Sequence, residues 1–358
     1  EATRSSMNIL YTNFHLREGG GHTTYIRNLL ENPRHRTFVA CPAGSKLYTL
    51  LEAEDFAGLI PMEFPSTVKD LGGIVRNSLA LRRCILEHDI DIVHTNGSAD
   101  NRIAMYTRWI TRRNFKVVFT KHNMQKIQGF ISKLRLNRFN DAVIFVSESV
   151  RETTSPGRDN PRYHVVEHGI DLDYWRKNTA PATGRHLRLI STAGTQKHKG
   201  WMHMIEAVSA LPEEDRKRIS VSVLGRHKRD SSLFPGCKVH FPGFLDDPRP
   251  LLEQADIGFV LSYKEASSFA SREMSAMSLP VISSDFPNHT RNIDQSCGWV
   301  TRAGDADSIR RVLRAILDMP AEEITQMKLA ARKKAEAYFS LKTMLERTNA
   351  VYDAVMTP

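Results

Sequence analysis

Short apolar runs recur along the chain, each followed by a stretch in which apolar positions return at helical spacing. Continuous apolar runs suit strands buried on both faces, and helical periodicity suits the amphipathic helices that cover them. In the first half the runs predict strands at Asn8 to Tyr11, Thr37 to Ala40, Ile92 to His94, Val117 to Thr120, Val143 to Val146 and His164 to Glu167. Leu71, Ile74, Val75, Ser78, Leu79 and Ile85 mark a helix before the strand that ends at His94. A second alternating set predicts strands at Leu187 to Ala193, Val221 to Leu224, Lys238 to Phe241, Asp256 to Leu261 and Val281 to Ser284. Three helices close the chain, near Asp305 to Leu317, Ala321 to Tyr338 and Leu341 to Met356. Regular alternation of this kind predicts an α/β protein of two doubly wound parallel sheets. The segment Trp175 to Arg185, with Pro181 and Gly184, reads as the linker, giving domains at 7–174 and 186–338.

The composition agrees with two soluble globular domains: 358 residues, 41% hydrophobic and 25% charged. Disordered, collagenous and coiled-coil classes are excluded. Four dispersed cysteines without a C-x-x-C pair argue against a disulfide scaffold or a zinc site and fit a reducing cytosol. No apolar run approaches the roughly 18 residues of a membrane span. Residues 1–6, ahead of Met7, lack the apolar centre of a signal peptide and read as an appended segment. The formal charge of +10 is local, because residues 101–140 hold ten Lys or Arg and no Asp or Glu. A patch of one sign implies an anionic partner: nucleic acid, acidic lipid or a phosphorylated substrate.

In open parallel sheets ligands bind beyond the carboxyl ends of the strands, so the loops there are where chemistry is sought. The first strand is followed by Gly19-Gly20-Gly21 and a helix, which suits close approach to an anion but lacks dinucleotide spacing. His94 and His122 end two further strands, where imidazoles can bond sugar hydroxyls or carry a proton. Gly194-Thr195-Gln196-Lys197-His198-Lys199-Gly200 follows the first strand of the second set; two lysines between glycines suit a diphosphate leaving group. Later, Glu265 and Glu273 lie eight positions apart. A helix beginning near Phe269 directs the Ser267, Ser268 and Phe269 amides at a ligand, and Glu273 one turn inside it can accept from a diol.

Together these residues resemble the retaining glycosyltransferases of family 4. The resemblance runs from Met7 to Met356 and rests mainly on the E-x7-E motif, Glu265 to Glu273, followed by Met274 to Ile282, which is similar to the family's "EAMA-x-G-x-PV" continuation. The glycine loop, the "DIVH" strand at His94, Thr120-Lys121-His122, the "VSE" stretch Val146 to Glu148 and the His168 to Asp171 junction fit in the same order. The resemblance implies a GT-B fold, two Rossmann-like domains facing a cleft, with helix 341–356 packing back onto the first. It also implies that Glu273 binds the ribose, Glu265 faces a hydroxyl of the transferred sugar and Lys199 holds the diphosphate. His122 would sit beside the reacting sugar, with Gly20 and Gly21 lining the donor and acceptor side. Thr195 stands where the family has Arg, leaving Lys197 or a basic residue of the first domain as the second cation.

The expected activity is transfer, with retention, from a nucleotide diphosphate sugar, UDP rather than GDP, to a lipid-linked or phosphorylated saccharide acceptor. Cell-envelope glycan synthesis of the lipopolysaccharide type is the expected setting. Neither metal nor cofactor is expected, and Asp171-Leu172-Asp173 reads as a helix cap instead of a metal motif. The basic run, with Arg108, Arg112, Arg113, Lys133, Arg135 and Arg138, is expected to meet the acceptor or an anionic membrane on the cytoplasmic face. Phe130, Ile131, Leu134 and Leu136 are interleaved with it. A nucleotide-sugar epimerase of the same architecture is one alternative. A basic nucleic-acid-binding protein is another, but it leaves Glu265 and Glu273 without a role, so no nucleic-acid partner is expected.

Overall fold

The computed structural model describes residues 6–16, 20–157, 159–178, 186–226, 230–265, 267–286 and 293–357. The chain divides into two compact units, residues 1–168 with 344–358, and residues 169–343. The first unit carries a sheet of seven parallel strands: β1 (Asn8–Thr12), β2 (Arg36–Cys41), β3 (Leu59–Pro61), β4 (Ile92–Thr95), β5 (Lys116–Lys121), β6 (Ala142–Phe145) and β7 (Tyr163–Val165). Their order is β3-β2-β1-β4-β5-β6-β7. Every residue of β4 and β6 is buried, as expected for strands covered on both faces.

The covering helices are α1 (Gly20–Leu30), α2 (Lys46–Ala53), α3 (Leu71–Glu87), α4 (Ser98–Ile110), α5 (Phe130–Leu134), which runs on into a π turn at Arg135–Phe139, and α6 (Glu148–Thr154). Helix α3 starts where Asp70 Oδ1 accepts from the Gly73 amide at 2.8 Å. It buries Ile74, Leu81, Cys84 and Ile85 against a core shared with Leu10, Val93 and Phe115.

The second unit repeats the plan with six parallel strands: β8 (Leu187–Ser191), β9 (Ile219–Leu224), β10 (Lys238–Gly243), β11 (Ile257–Val260), β12 (Val281–Ser284) and β13 (Gly298–Thr301), ordered β10-β9-β8-β11-β12-β13. Helices α7 (Trp201–Ser209), α8 (Glu213–Arg216), α9 (Arg249–Gln254) and α10 (Phe269–Ala276) connect them. Two further helices follow, Ala306–Asp318 and Ala321–Tyr338. In both sheets the strand order reverses at one place, between β1 and β4 and between β8 and β11. Doubly wound sheets bind ligands at such a switch point.

Two strands go beyond the sequence expectation. Both β3 and β13 lie at sheet edges and are short; β3 ends at Pro61, which has no amide to give the ladder. A half-exposed edge strand carries too little apolar signal to stand out from a loop. The final helix, Leu341–Met356, enters the first unit from Met344 onward. There Asp353 makes a two-pronged pair with Arg34 at 2.9 and 2.6 Å, and Asn349 bonds Asn32 and His35.

The segment following β5 corrects one expectation. The basic run places Leu136 and Arg135 on an exposed basic and apolar surface, yet both are buried at the π turn, where burial and the nearby Arg102 hold the Arg135 guanidinium below its usual range. Among the described residues no helix is long and apolar enough to cross a membrane.

Candidate active site

The switch point of the second unit gathers the loops after β8 and β11. After β8 the chain turns at Gly194 (φ 108°), forms a single 3-10 turn over Lys197–Lys199 and enters α7 through Gly200, φ 67°. A Cβ at Gly200 would lie 2.1 Å from the Leu261 carbonyl oxygen, so only glycine lets the loop press against the end of β11. The Tyr263 amide donates to the His198 carbonyl at 3.0 Å, joining the two loops. Lys199 Nζ then lies 3.2 Å from Glu265 Oε1, both side chains largely shielded from solvent. Lys197 is exposed. Thr195 is buried, its carbonyl accepting from the Trp201 indole at 3.0 Å, so it shapes the loop from inside.

Beyond Glu265 the chain enters α10, which begins at Phe269 with Ser268 as cap; Ser268 Oγ accepts from the Ser271 amide at 3.2 Å. The first amides of any helix lack partners within it and attract negative charge. Ser267 Oγ, buried beside this terminus, has no hydrogen-bond partner among the described residues. Glu273, one turn inside α10, is half-buried, and burial pushes its carboxyl up to about 7. Among the described residues its carboxylate accepts no hydrogen bond.

In the first unit, Asp100 at the start of α4 fastens the switch point between β1 and β4. Its Oδ2 accepts from Thr12 Oγ1 at 2.5 Å and from the Asn96 amide at 2.9 Å. Burial pushes this carboxyl up to about 6 despite those bonds. Asn96 Nδ2 donates to the Thr12 carbonyl at 3.0 Å, which turns Oδ1 toward His122 and lets it accept from Nε2–H at 3.0 Å. His122 is therefore held as the tautomer protonated on Nε2. Burial, reinforced by His22 and His168, holds its pKa far below the usual histidine range.

Around His122 the rings form a cluster that the sequence reading missed. His15 and His22 lie 4.2 Å apart, His22 and His122 4.4 Å, and His122 is stacked on His168 at 5.7 Å. The signal was present: His15 follows β1 and His22 follows the glycine run, both at carboxyl ends of the sheet. Gly20 and Gly21 open α1 beside them, while Gly19 lies outside the described residues. His94 proves to be a core residue. It is fully buried, Nδ1 bonded to Tyr352 and Nε2 to Thr120 at 2.6 Å each, leaving neither nitrogen for a ligand. Beyond β1 and β3 a cavity of about 540 Å³ is lined by Phe14, Met62, Glu63, Phe64, Asp70 and Arg76 among others.

The basic run is partly consumed inside the fold. Arg108 pairs with Asp141, Arg113 with Asp89 and Asp91, and Arg102 donates to the Pro65 and Ser66 carbonyls. Arg112, Lys133 and Arg138 remain exposed. Asp171 does not cap a helix; its Oδ1 accepts from the Asp173 and Tyr174 amides at 2.9 and 3.0 Å, closing an isolated turn.

Residues 19–174 match the family described as Glycosyltransferase Family 4, and residues 187–319 match Glycosyl transferases group 1. The chain belongs to the family 4 type of glycosyltransferases. Among curated proteins, sequence comparison finds no match. Among solved structures this glycosyltransferase is similar to one from Rickettsia africae, with TM-score 0.83 and 21% identity over 98% of this chain and 99% of that one. It is also similar to HepE of Anabaena, solved with UDP and glucose (TM-score 0.80, 16% identity, 97% and 100% covered). A third is the lipopolysaccharide outer core galactosyltransferase WaaB (TM-score 0.70, 14% identity, 97% and 99% covered). All three share the GT-B plan of two parallel-sheet units.

Proposed function

We propose that this enzyme transfers a hexose, with retention at the anomeric carbon, from a UDP-sugar to a lipid-linked or phosphorylated saccharide of cell-envelope glycan synthesis. The observation that carries the reading is the second unit's switch point. Among the described residues a cation, Lys199, its acidic partner, Glu265, a helix terminus and a carboxylate that accepts no hydrogen bond, Glu273, lie on or next to one loop pair. UDP is preferred because HepE was solved with it.

In this reading Glu273 accepts hydrogen bonds from the ribose diol. Lys199 and the amides of Ser267, Ser268 and Phe269 stabilise the negative charge that develops on the departing diphosphate, where a preorganised cation favours the transition state over the ground state. Lys197, exposed on the same turn, supplies the second cation that Thr195 cannot. His122, neutral and able to accept at Nδ1, is the imidazole that the family resemblance assigns to the transferred sugar, and the acceptor hydroxyl enters on the face that the diphosphate leaves. The first unit receives the acceptor, and its exposed basic residues Arg112, Lys133 and Arg138 face an anionic membrane surface on the cytoplasmic side.

The deciding experiment is a thermal-shift screen across nucleoside diphosphates and their sugars, followed by turnover with and without EDTA. Stabilisation by UDP and UDP-sugars, with undiminished turnover under chelation, is the expected result. Stabilisation by no nucleotide, or activity restored only by added manganese or magnesium, contradicts it. Conversion of the donor without any acceptor would identify an epimerase.

A further inference from the structure

Ten large hydrophobic side chains of the first unit are exposed among the described residues, and nine of them lie on one layer of helices. Along α3 and its approach they are Val68, Leu71, Val75, Leu79 and Leu86, with Leu71 71% exposed. The spacing of three, four, four and seven places them on one stripe, turned away from the buried stripe of Ile74, Leu81 and Ile85. Helix α4 lies beside α3, where Thr107 Oγ1 donates to the Ser78 carbonyl at 3.3 Å. At its far end α4 exposes Trp109 and Ile110, and Trp109 meets Phe139 of the π turn edge to face at 5.9 Å. Phe130, 79% exposed, and Ile131 on α5 complete the layer.

Singly exposed apolar residues are ordinary on protein surfaces, but a concentration on one layer marks a surface that is covered. Charge indicates what covers it. Lys69, Arg76 and Arg83 are exposed beside the α3 stripe, with Asp70 and Glu87 exposed at its two ends, and Arg112, Lys133 and Arg138 are exposed beside the α4 and α5 residues, so cations are in excess around the layer. An apolar stripe bordered by long basic side chains is the pattern of a helix lying in a lipid interface, its cations reaching the headgroups.

We propose that α3, together with the end of α4 and α5, is the surface by which this protein enters the interface of an anionic bilayer. Leu71, Val75 and Leu79 are the inserted side chains. The inference deepens the reading of a membrane-facing acceptor side and rests on it for its purpose. It relocates the main contact from the basic run, where Arg135 and Leu136 are buried, to a helix outside that run.

The test is vesicle flotation of the full chain at low and high salt, with phosphatidylcholine vesicles and with equal mixtures of phosphatidylcholine and phosphatidylglycerol. The wild-type protein is expected to float with the mixed vesicles, and Leu71→Glu/Val75→Glu/Leu79→Glu to lose at least about tenfold in recovery. All three side chains are already exposed, and unchanged circular dichroism and nucleotide-induced thermal shift show that the variant is folded. Trp109 fluorescence, isolated by comparison with Trp109→Phe, is expected to shift to the blue on mixed vesicles. Equal flotation of variant and wild type overturns the proposal. So does a wild-type dimer that the triple variant converts to monomer, since the face then binds a second copy. Flotation needs neither donor nor acceptor, so a protein that floats but transfers no sugar contradicts the activity and leaves the surface intact.

Discussion

Lys199 Nζ and Glu265 Oε1 are 3.2 Å apart at the switch point of the second sheet, so the cation assigned to the leaving group is already neutralised by a carboxylate. A diphosphate binding there competes with Glu265 for the ammonium. The pair is shielded but not sealed, which places its worth near the modest scale of partly exposed ion pairs. Lys199→Ala is expected to lower turnover by about 100- to 1,000-fold, the usual effect of removing one preorganised charge-stabilising group. Glu265→Gln should act in opposite directions on two measurements: free UDP binds about two- to fivefold more tightly because Lys199 is released, while sugar transfer falls. Calorimetry with UDP beside steady-state kinetics separates them, and weaker UDP binding in the Gln variant contradicts the competition.

Glu273 supports a prediction in pH. Its folded pKa, pushed up by burial to about 7, lies above the ordinary carboxyl value of roughly 4.3. The folded chain therefore holds the proton more tightly than the unfolded chain. Its contribution to stability is full below pH of about 4.3 and is lost as pH rises through about 7. In the role proposed for Glu273, donor binding has the opposite preference, because only an ionised carboxylate would accept both ribose hydroxyls. UDP-sugar affinity is expected to rise between pH 6 and 8 in the wild type, around that value of about 7. Glu273→Gln should bind donor more weakly at every pH, lose that slope and melt higher than the wild type at the alkaline end. A slope that survives in the Gln variant assigns the titration to another group.

Ser278 adopts φ 60°, in the left-handed region, immediately after α10 and before Leu279 and Pro280 lead into β12. Its Cβ crowds the backbone there, at a cost of about 1 kcal/mol that glycine avoids. Ser278→Gly is expected to raise the melting temperature by about 2–4 °C for a domain of this size. Donor binding should not change. Differential scanning calorimetry checks it, and a lower melting temperature would mean that the serine side chain supplies more than its backbone loses.

The periodic pattern made the alternation of strands and helices legible, because strands buried on both faces read as unbroken apolar runs. Edge strands gave no such signal: Leu59–Pro61 offers two apolar residues before a proline, and Gly298–Thr301 is only partly covered. At the site, the start of α10 near Phe269 was readable from the sequence, and Ser268 caps it. The pairing of Lys199 with Glu265 was not, since 66 residues separate them and only sheet order brings β8 beside β11. Burial was the least legible property. His94 and His122 look alike as histidines ending adjacent strands, yet Tyr352, from the far end of the chain, closes one nitrogen of His94 and makes it a core residue. Arg135 and Leu136 sit in a basic run that reads as surface, and both are buried at the π turn.

Asn96 is expected to govern the proton on His122. Its Oδ1 accepts from Nε2–H at 3.0 Å, and its own amide group is committed to Thr12, so the pair cannot reverse roles without breaking that bond. The charges and rings facing His122 are those of His22, His168, His94 and His15, all unfavourable to a second proton. His22 and His94, both held near 3 chiefly by burial, share its neutrality. Because these folded pKa values lie below the unfolded value of about 6.5, their contribution to stability is present above that pH and is lost as pH falls through the folded values. Asn96→Asp places a carboxylate on Nε2–H and should raise the His122 pKa by about one to three units. Nitrogen NMR of labelled histidine reads this directly: the wild type should show His122 neutral and protonated on Nε2, and the Asp variant should show it titrating closer to neutrality. Turnover of the variant should then fall on the acid side, where an imidazolium cannot accept at Nδ1, and recover as pH rises. A variant whose loss of turnover is the same at every pH would mean that Asn96 only holds the loop in place.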